Sequence, residues 1–305
     1  MATMVAGAKA PAVDWEVPEQ VGLWSDAWRR FKRNKVAVLG LVLVGLLVLD
    51  AVAVFLLGLT GHYLWADPLK QDVNNIFANP SLAHPFGQDE LGRDVLARLL
   101  AGAEISIQIG LLTQAIILVV GGLVGLTAGY FGGWVDNLLM RFTDVMYAFP
   151  DLLFIIVVVA ALGKSLLSIF VAISIVNWVG LARLIRGQVL QLREKEFIEG
   201  ARASGSAPMK IILKHLLPNS LGPVIVSLTF GIPQAIFLEA VLSYLGAGLP
   251  PPTPSWGVMA QDGYDAIAAT PNLVLFPAVA IAITMLSFTF IGDGLRDALD
   301  PRMRK

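Results

Sequence analysis

The sequence predicts an all-α protein that crosses a membrane six times. The chain has 305 residues, of which 56% are hydrophobic and 15% are charged, and its mean hydropathy is +0.71. Soluble domains are closer to about one quarter charged. Six apolar stretches are each long enough to cross a hydrocarbon core of about 30 Å as a helix. Composition and stretch length together therefore predict a polytopic membrane protein.

The predicted spans follow one another between residues 36 and 292. Pro150 and Asp151 interrupt the third span, and the first and fifth spans hold the acidic residues Asp50 and Glu239. An acidic residue near the centre of a span costs about 2.5–3.5 kcal/mol on insertion scales. Asp50 and Glu239 are therefore candidate pathway residues, with structural hydrogen bonding as the alternative for both. The predicted bounds are Val36–Leu59, a stretch within Ile105–Val135, Thr143–Leu162, Ser165–Ala182, Leu221–Leu245 and Asn272–Gly292.

The lysines and arginines predict the orientation of these spans. If successive loops alternate between the two sides, all but four of the 22 basic residues lie on the side of the termini, the four being Lys70, Arg93, Arg98 and Lys164. Loops rich in lysine and arginine stay in the cytoplasm. Both termini are therefore predicted to be cytoplasmic, and the basic cluster before the first span predicts an uncleaved signal-anchor. The predicted organisation is a cytoplasmic tail at 1–35, a first transmembrane helix at 36–59, an external segment at 60–103, a core of five helices at 104–294 that includes a cytoplasmic loop at 183–220, and a cytoplasmic tail at 295–305.

Several function classes are excluded or unsupported by the sequence. A net charge of −1 gives no global field for nucleic acid. The chain has no cysteine, and its three histidines are scattered rather than clustered as in a metal site. The stretch ALGKS at 161–165 lacks the earlier glycine that a phosphate-binding loop requires. We therefore predict no catalytic residue, no metal and no cofactor on this chain.

Three glycines in the second span predict close helix packing. Gly121, Gly125 and Gly129 recur every four residues and so share one helix face. Small residues allow the backbones of membrane helices to approach closely. The favoured interpretation is packing inside the bundle, and the alternative is a contact with a helix of a partner.

The polar stretch EFIEGARASGSAPMKIILKHLLPN, residues 196–219, is predicted to form two short helices around a corner. Gly205 suits the left-handed conformation that ends a helix, and Pro208 suits the first turn of the next one. Pro218 is expected to close the second helix. The apolar faces of the two helices are predicted to be Phe197, Ile198 and Ala201, and then Ile211, Ile212 and Leu216. From the residues alone, a docking element for another protein and an amphipathic hairpin on the bilayer both remain open.

This stretch resembles the EAA loop of ABC importer permeases. In that pattern a glutamate precedes two small residues, a glycine follows after three more, and a hydrophobic stretch ends in Leu-Pro. Glu199 and Gly205 fit this spacing, whereas Gly200 replaces the first alanine and His215 stands where isoleucine is usual. The resemblance implies that this loop docks on an ATPase subunit. The residues that it assigns to coupling are Glu199, Gly200, Ala201, Arg202, Ala203, Ser204, Gly205, Pro208, His215, Leu217 and Pro218.

Five further stretches, which together with the loop cover most of residues 24–305, are similar to the C-type permease subunits of dipeptide and oligopeptide importers. They are WRRFKRNKVAVLGLVLV, HPFGQDELGRDVLARLLAGAEISIQIG, AGYFGGWVDNLLMRFTDVMYAFPDLL, LEAVLSYLGAGLPPPTPSWGVM and IGDGLRDALDPRMRK. The resemblance implies a type I ABC importer permease fold in a bacterial inner membrane. It also implies four kinds of partner: a second, different permease subunit, two ATPase subunits, an extracytoplasmic binding protein and a peptide cargo.

Three alternatives remain open. The same machine in this family also carries nickel, glutathione or another small cargo. An ion-coupled secondary transporter would use Asp50 or Glu239, and a membrane scaffold would transport nothing. The apolar spans alone do not choose between these functions, and the ABC interpretation depends on the loop.

Overall fold

A computed structural model of the protein describes residues 23–300, and the regular elements within that range are helical. The all-α prediction is therefore confirmed for this part of the chain. The helices are α1 (Leu23–Phe31), α2 (Lys35–Leu59), α3 (Val95–Phe131), α4 (Gly133–Tyr147), α5 (Asp151–Leu162), α6 (Leu166–Leu192), α7 (Glu196–Ala203), α8 (Pro208–Ile211), a π-helical turn (Ile212–Leu216), α9 (Leu217–Tyr244), α10 (Trp256–Asp262) and α11 (Asn272–Leu299).

Five continuous helices within residues 23–300 are long and apolar enough to cross a membrane. A sixth span is possible only if α4 and α5 are taken together, and these two helices meet at 88°. The third predicted span, Thr143–Leu162, is therefore not one continuous helix, and the predicted count of six spans depends on this bent pair. The break falls at Pro150, which has φ −63° and ψ 118°. A proline has no amide hydrogen and disfavours helical geometry in the residue before it, so α4 ends ahead of Pro150.

The long helices extend beyond the predicted spans. α3 begins at Val95, ten residues before the predicted Ile105, because Asp94 caps it by accepting a hydrogen bond of 2.7 Å from the Ala97 amide. At their other ends, α6 continues to Leu192 and α11 to Leu299. Hydrophobicity marks how much of a helix can lie in lipid, whereas capping residues decide where the helix begins and ends.

The glycine face of α3 packs against α6. A Cβ atom added to Gly121 would lie 2.9 Å from the Trp178 carbonyl oxygen, and one added to Gly125 would lie 2.5 Å from the Ala182 carbonyl oxygen. A Cβ at Gly129 would lie 2.7 Å from Val189 Cβ. The interpretation of packing inside the bundle is therefore confirmed, and α3 and α6 form a close pair to which the polar stretch at 196–219 is attached.

The second helix of that polar stretch does not end at Pro218. It runs from Pro208 through the π-helical turn into α9, so residues 208–244 form one continuous apolar helix. In an α-helix the Pro218 ring would clash with the carbonyl of Lys214. The π-helical turn, in which the Leu217 amide donates to the Ile212 carbonyl five residues earlier, widens the backbone just before the proline. The expectation that Pro218 closes the helix is therefore wrong.

The start of α3 is joined to α10 by buried charges. Three residues of this junction, Asp89, Arg93 and Arg98, are almost fully buried. The five residues that form what we call the cap cluster are Asp89, Glu90, Arg93, Arg98 and Asp262. Asp89 accepts from both arginines, at 2.7 Å from Arg93 and 2.5 Å from Arg98. Arg98 also pairs with Asp262 of α10 at 3.0 Å, and Arg93 pairs with Glu90 at 2.5 Å. The cap cluster is therefore a structural junction at the end of α3 opposite to the polar stretch.

Candidate functional site

The polar stretch at residues 196–219, which we call the EAA-like segment because it resembles an EAA loop, is built around a defined helix corner. Gly205 has φ +74°, its amide donates to the Arg202 carbonyl at 2.9 Å, and the Ser206 amide donates to the Ala201 carbonyl at 3.1 Å. These two bonds form a Schellman motif, which ends α7 with a residue in the left-handed conformation. A Cβ on Gly205 would meet nothing within 4 Å, so glycine is needed there for its backbone conformation rather than for space.

Buried apolar side chains fix this segment to the transmembrane helices. Ile198, Ile211 and Leu216 are almost fully buried, in a cluster that includes Ile185 and Val189 of α6. These contacts confirm much of the predicted apolar faces and couple the corner directly to α6.

Phe197 does not belong to that buried face, although the sequence placed it there. Its side chain is 45% exposed, and its ring lies 6.3 Å from that of His215. Ile198, the next residue on α7, points into the bundle instead. Met209 and Leu213 are also exposed, so the segment presents an apolar surface away from the bundle.

One charged residue of the segment contacts a transmembrane helix, and another is exposed on the surface. The Arg202 guanidinium lies 5.8 Å from the centre of the Tyr130 ring at the end of α3, a distance typical of a cation–π contact. The Glu199 side chain is exposed and makes no hydrogen bond or ion pair within residues 23–300, so it does not pair with Arg202. Gly200 beside it is exposed, with open space where a Cβ would stand. Glu199 is therefore accessible to a partner.

Glu239, a predicted pathway residue, is fully buried. Its Oε1 atom accepts hydrogen bonds of 2.7 Å from both Ser243 and Ser255. Ser255 Oγ in turn accepts from the Val258 amide and so caps α10. Glu239 lines neither of the two large cavities of the described chain. This geometry supports the structural alternative, and a role in the pathway stays a prediction.

Asp50, the other predicted pathway residue, lies on α2 and is half-buried. Its carboxylate makes no hydrogen bond within residues 23–300, and it interacts electrostatically with Glu104 of α3. Asp50 also lies outside both large cavities. The structure therefore does not bring Asp50 and Glu239 together, and the role of Asp50 in a pathway also stays a prediction.

Two adjoining cavities form a groove along α9 that sequence reasoning missed. Their volumes are about 850 Å³ and about 460 Å³, and both are lined by Ser227 and Gln234. The larger one reaches Asn219 and Arg296 near the EAA-like segment, and the smaller one reaches into the bundle. The available signal was the presence of uncharged amide side chains, Gln114, Asn177 and Gln234, in otherwise apolar spans. The predicted pathway residues were acidic, so these amides were not among them. The polar residues that line the smaller cavity are Gln114, Tyr147, Asp151, Asn177, Ser227 and Gln234.

Comparison with known proteins identifies the family. Residues 121–305 match the family described as binding-protein-dependent transport system inner membrane component, and residues 22–83 match the N-terminal TM domain of oligopeptide transport permease C. The chain belongs to this permease family. Both matched regions of the permease contain sequence stretches that carried the resemblance, so the family prediction is confirmed.

Curated relatives of the permease match it over nearly its whole length. The oligopeptide transport system permease protein OppC of Bacillus subtilis is 40% identical over 98% of this chain and 96% of the relative. The dipeptide transport system permease protein DppC of Alkalihalophilus pseudofirmus is 43% identical over 93% of this chain and 91% of the relative. The glutathione transport system permease protein GsiD of Escherichia coli is 41% identical over 94% of this chain and 93% of the relative.

The fold of the permease is also similar to that of a solved transporter. A structure of the MetNI methionine ABC transporter in an inward-facing conformation aligns with a TM-score of 0.52 at 21% identity. The alignment covers 67% of this chain and 96% of that chain. The similarity supports an ABC transporter permease fold for the transmembrane core.

Proposed function

We propose that this chain is the C-type permease subunit of an ATP-driven ABC importer for dipeptides or oligopeptides in a bacterial inner membrane. The observation that carries this proposal is identity of 40% or more to oligopeptide and dipeptide permeases over more than 90% of the chain. Its relatives are permeases by name, so the chain is a pathway subunit and not an enzyme. ATP hydrolysis belongs to separate ATPase subunits.

The importer that we propose contains four further kinds of component. A second, different permease subunit completes the pathway, two ATPase subunits supply energy, an extracytoplasmic binding protein delivers cargo, and lipid surrounds the bundle. In this arrangement both termini and the EAA-like segment face the cytoplasm. The distribution of lysine and arginine between the loops supports this orientation. Residues 23–300 contain up to six spans when α4 and α5 are counted as one bent span.

The EAA-like segment has the construction that coupling requires. Its exposed side carries Glu199, Phe197 and Met209, which are available to an ATPase surface. Its buried side packs on α6, so displacement of the corner moves the membrane helices with it. A corner closed by two backbone hydrogen bonds transmits such displacement better than an irregular loop would.

The groove along α9 is this subunit's half of the pathway in our proposal. It extends from the level of the EAA-like segment to side chains well inside the bundle, and it contains hydrogen-bonding groups that suit a polar cargo. The prediction that Asp50 and Glu239 line the path receives no support from this groove.

A second cargo, glutathione, is favoured by one observation. The relative GsiD is named for glutathione transport and is 41% identical over 94% of this chain, close to the values for the peptide permeases. An ion-coupled transporter is disfavoured because the matched family is described as a binding-protein-dependent transport system inner membrane component, and neither Asp50 nor Glu239 lines the groove. Nickel and scaffold functions gain no support from the described residues.

The proposal is tested by purification followed by transport. The tagged chain is purified from native membranes in mild detergent, and the co-purifying proteins are identified by mass. We expect a second permease and P-loop ATPases. The complex is then placed in vesicles with its binding protein, and uptake of radiolabelled dipeptide and glutathione is measured with and without ATP. Absence of ATPases from the complex, or uptake that depends on an ion gradient instead of ATP, would contradict the proposal.

A further inference from the structure

The smaller cavity along α9 brings one carboxylate together with three carboxamides. Asp151, at the first position of α5, lines this cavity with Gln114 of α3, Asn177 of α6 and Gln234 of α9. The three amide residues lie more than about 14 Å from either end of their helices at 1.5 Å per residue. Polar side chains from four helices therefore converge at a level deep in the bundle.

The Asp151 carboxylate has no partner in the described part of the chain. It makes no hydrogen bond and no ion pair within residues 23–300, and it is exposed to the cavity. It lies in the first turn of the 12-residue helix α5. By contrast, the nearby Asp144 is paired with Arg183 at 2.7 Å. Asp151 is thus a charged group without an internal structural partner.

Gln114 is a second polar group that lacks a partner in this cavity. It is only 9% exposed, and its carboxamide makes no hydrogen bond within residues 23–300. Gly231 of α9 makes room for it, since a Cβ there would lie 2.4 Å from Gln114 Oε1. Gln114 therefore borders the cavity with a carboxamide that is available to hydrogen-bond a ligand there.

We propose that this cavity is a binding site for the amino-terminal end of a peptide in transit, with Asp151 binding the α-ammonium group and the carboxamides binding the peptide backbone. The inference rests on the proposed function of peptide transport. A carboxylate accepts charge-assisted hydrogen bonds from an ammonium group. A carboxamide both donates and accepts, so Gln114, Asn177 and Gln234 can pair with the N–H and C=O groups that every peptide has. Recognition by these groups does not depend on the peptide's side chains.

The test measures peptide binding directly to the purified permease–ATPase complex, without the binding protein. Affinity for Ala-Ala and for N-acetyl-Ala-Ala is determined by saturation-transfer NMR for the unaltered complex and for the Asp151→Asn variant. We expect Asp151→Asn to weaken Ala-Ala binding about tenfold, the loss of one charge-assisted bond, and to leave N-acetyl-Ala-Ala binding unchanged. Asp151→Glu restores most of the affinity for Ala-Ala because it keeps the charge. Asp144→Asn, the matched control, leaves both affinities unchanged.

Three results would overturn the inference. They are no saturable binding of Ala-Ala to the unaltered complex, equal binding of Ala-Ala before and after Asp151→Asn, and an equal loss for both peptides. The last would indicate that Asp151 supports the α4–α5 bend. ATP-dependent uptake by the unaltered importer is measured in parallel. If that uptake is normal while Asp151→Asn has no selective effect, this inference fails and the proposed function stands.

Discussion

The two polar regions at opposite ends of α3 use charged residues in opposite ways. In the cap cluster, Asp89, Arg93 and Arg98 are almost fully buried and bond to one another. In the EAA-like segment, apolar residues such as Ile198 are buried, and Glu199 is exposed without an internal partner. The cap cluster thus uses its charges to join elements of this chain, whereas the EAA-like segment leaves charge available to another protein.

This difference predicts that the two regions fail differently when mutated. Loss of a buried charge leaves its partners uncompensated and lowers the stability of the fold. Loss of an exposed group changes stability little and acts on whatever binds there. Mutations in the cap cluster are therefore expected to lower the unfolding temperature. Mutations in the EAA-like segment are expected to reduce assembly with the ATPase and transport.

The largest effect is expected from Arg98→Leu in the cap cluster. The change removes the pairs of Arg98 with Asp89 and Asp262 and leaves Arg93 as the arginine that contacts both carboxylates, and breaking a buried pair costs about 3–5 kcal/mol. We expect a clear fall in the Tm of the detergent-purified complex. Arg202→Leu is the matched control, since it removes only a cation–π contact of about 1 kcal/mol at an accessible site. Equal losses of Tm in the two variants would remove the contrast between the regions.

The next effect is expected from Gly205→Val in the EAA-like segment. The residue has φ +74°, and a β-branched residue held there costs about 1–3 kcal/mol of local strain. We expect the corner to open, ATPase co-purification and transport to fall, and membrane insertion to be retained. Gly200→Ala is the control: its Cβ meets nothing within 4 Å, and alanine favours the helix. Normal ATPase binding by Gly205→Val would show that the corner is not needed for docking.

A comparable effect on stability is expected at Glu239, which distinguishes its structural role from a role in the pathway. Glu239→Leu removes the acceptor for Ser243 and Ser255, and leaving buried hydroxyls unpaired costs about 1–3 kcal/mol. Glu239→Gln keeps a carbonyl acceptor, so we expect near-normal Tm and transport. Loss of transport in Glu239→Gln, with assembly intact, would favour the pathway role that the sequence suggested.

The smallest effect is a pH dependence of the cap cluster that arises from Glu90. Burial, followed by repulsion from Asp89, raises the pKa of Glu90 above its ordinary value of 4.5. A carboxyl whose pKa is raised by folding favours the folded state most below its unfolded pKa. That contribution is lost as pH rises through the folded pKa. We expect Glu90→Gln to flatten the fall in Tm from pH 4.5 towards neutrality. If the slope of Tm against pH is the same in Glu90→Gln and the unaltered protein, other titrating groups cause the pH dependence.

The predictability of the fold differs from one element to the next. Long apolar runs predicted α2, α6 and α11, because such runs have few stable alternatives in lipid. The glycine spacing of α3 predicted its close packing, because every fourth residue faces the same neighbour. The 88° bend between α4 and α5 was not predictable, since a proline indicates a break without giving its angle.

The candidate site was also predicted only in part, because the sequence carries local backbone preferences but not the contacts between distant helices. The corner at Gly205 follows from local backbone chemistry, which the sequence carries. The π-helical turn before Pro218 is one of several ways to accommodate a proline, and the sequence does not specify which of them is used. The groove could not be predicted, because Gln114, Asn177 and Gln234 lie on three different helices and converge only in the folded bundle.

The most direct test of the central claim, that the EAA-like segment docks on an ATPase, is cysteine cross-linking. The chain has no cysteine, so single thiols can be introduced without background from this subunit. Ala203→Cys places a thiol on the exposed side of the segment, and Leu82→Cys places one at a fully exposed position before the cap cluster. The account predicts that a membrane-permeant cross-linker with a maleimide at one end and a succinimidyl ester at the other joins the Ala203→Cys variant, but not the Leu82→Cys variant, to lysine amines of the ATPase. Labelling of the Ala203→Cys variant from outside the cell, with no cross-link to the ATPase, would contradict it.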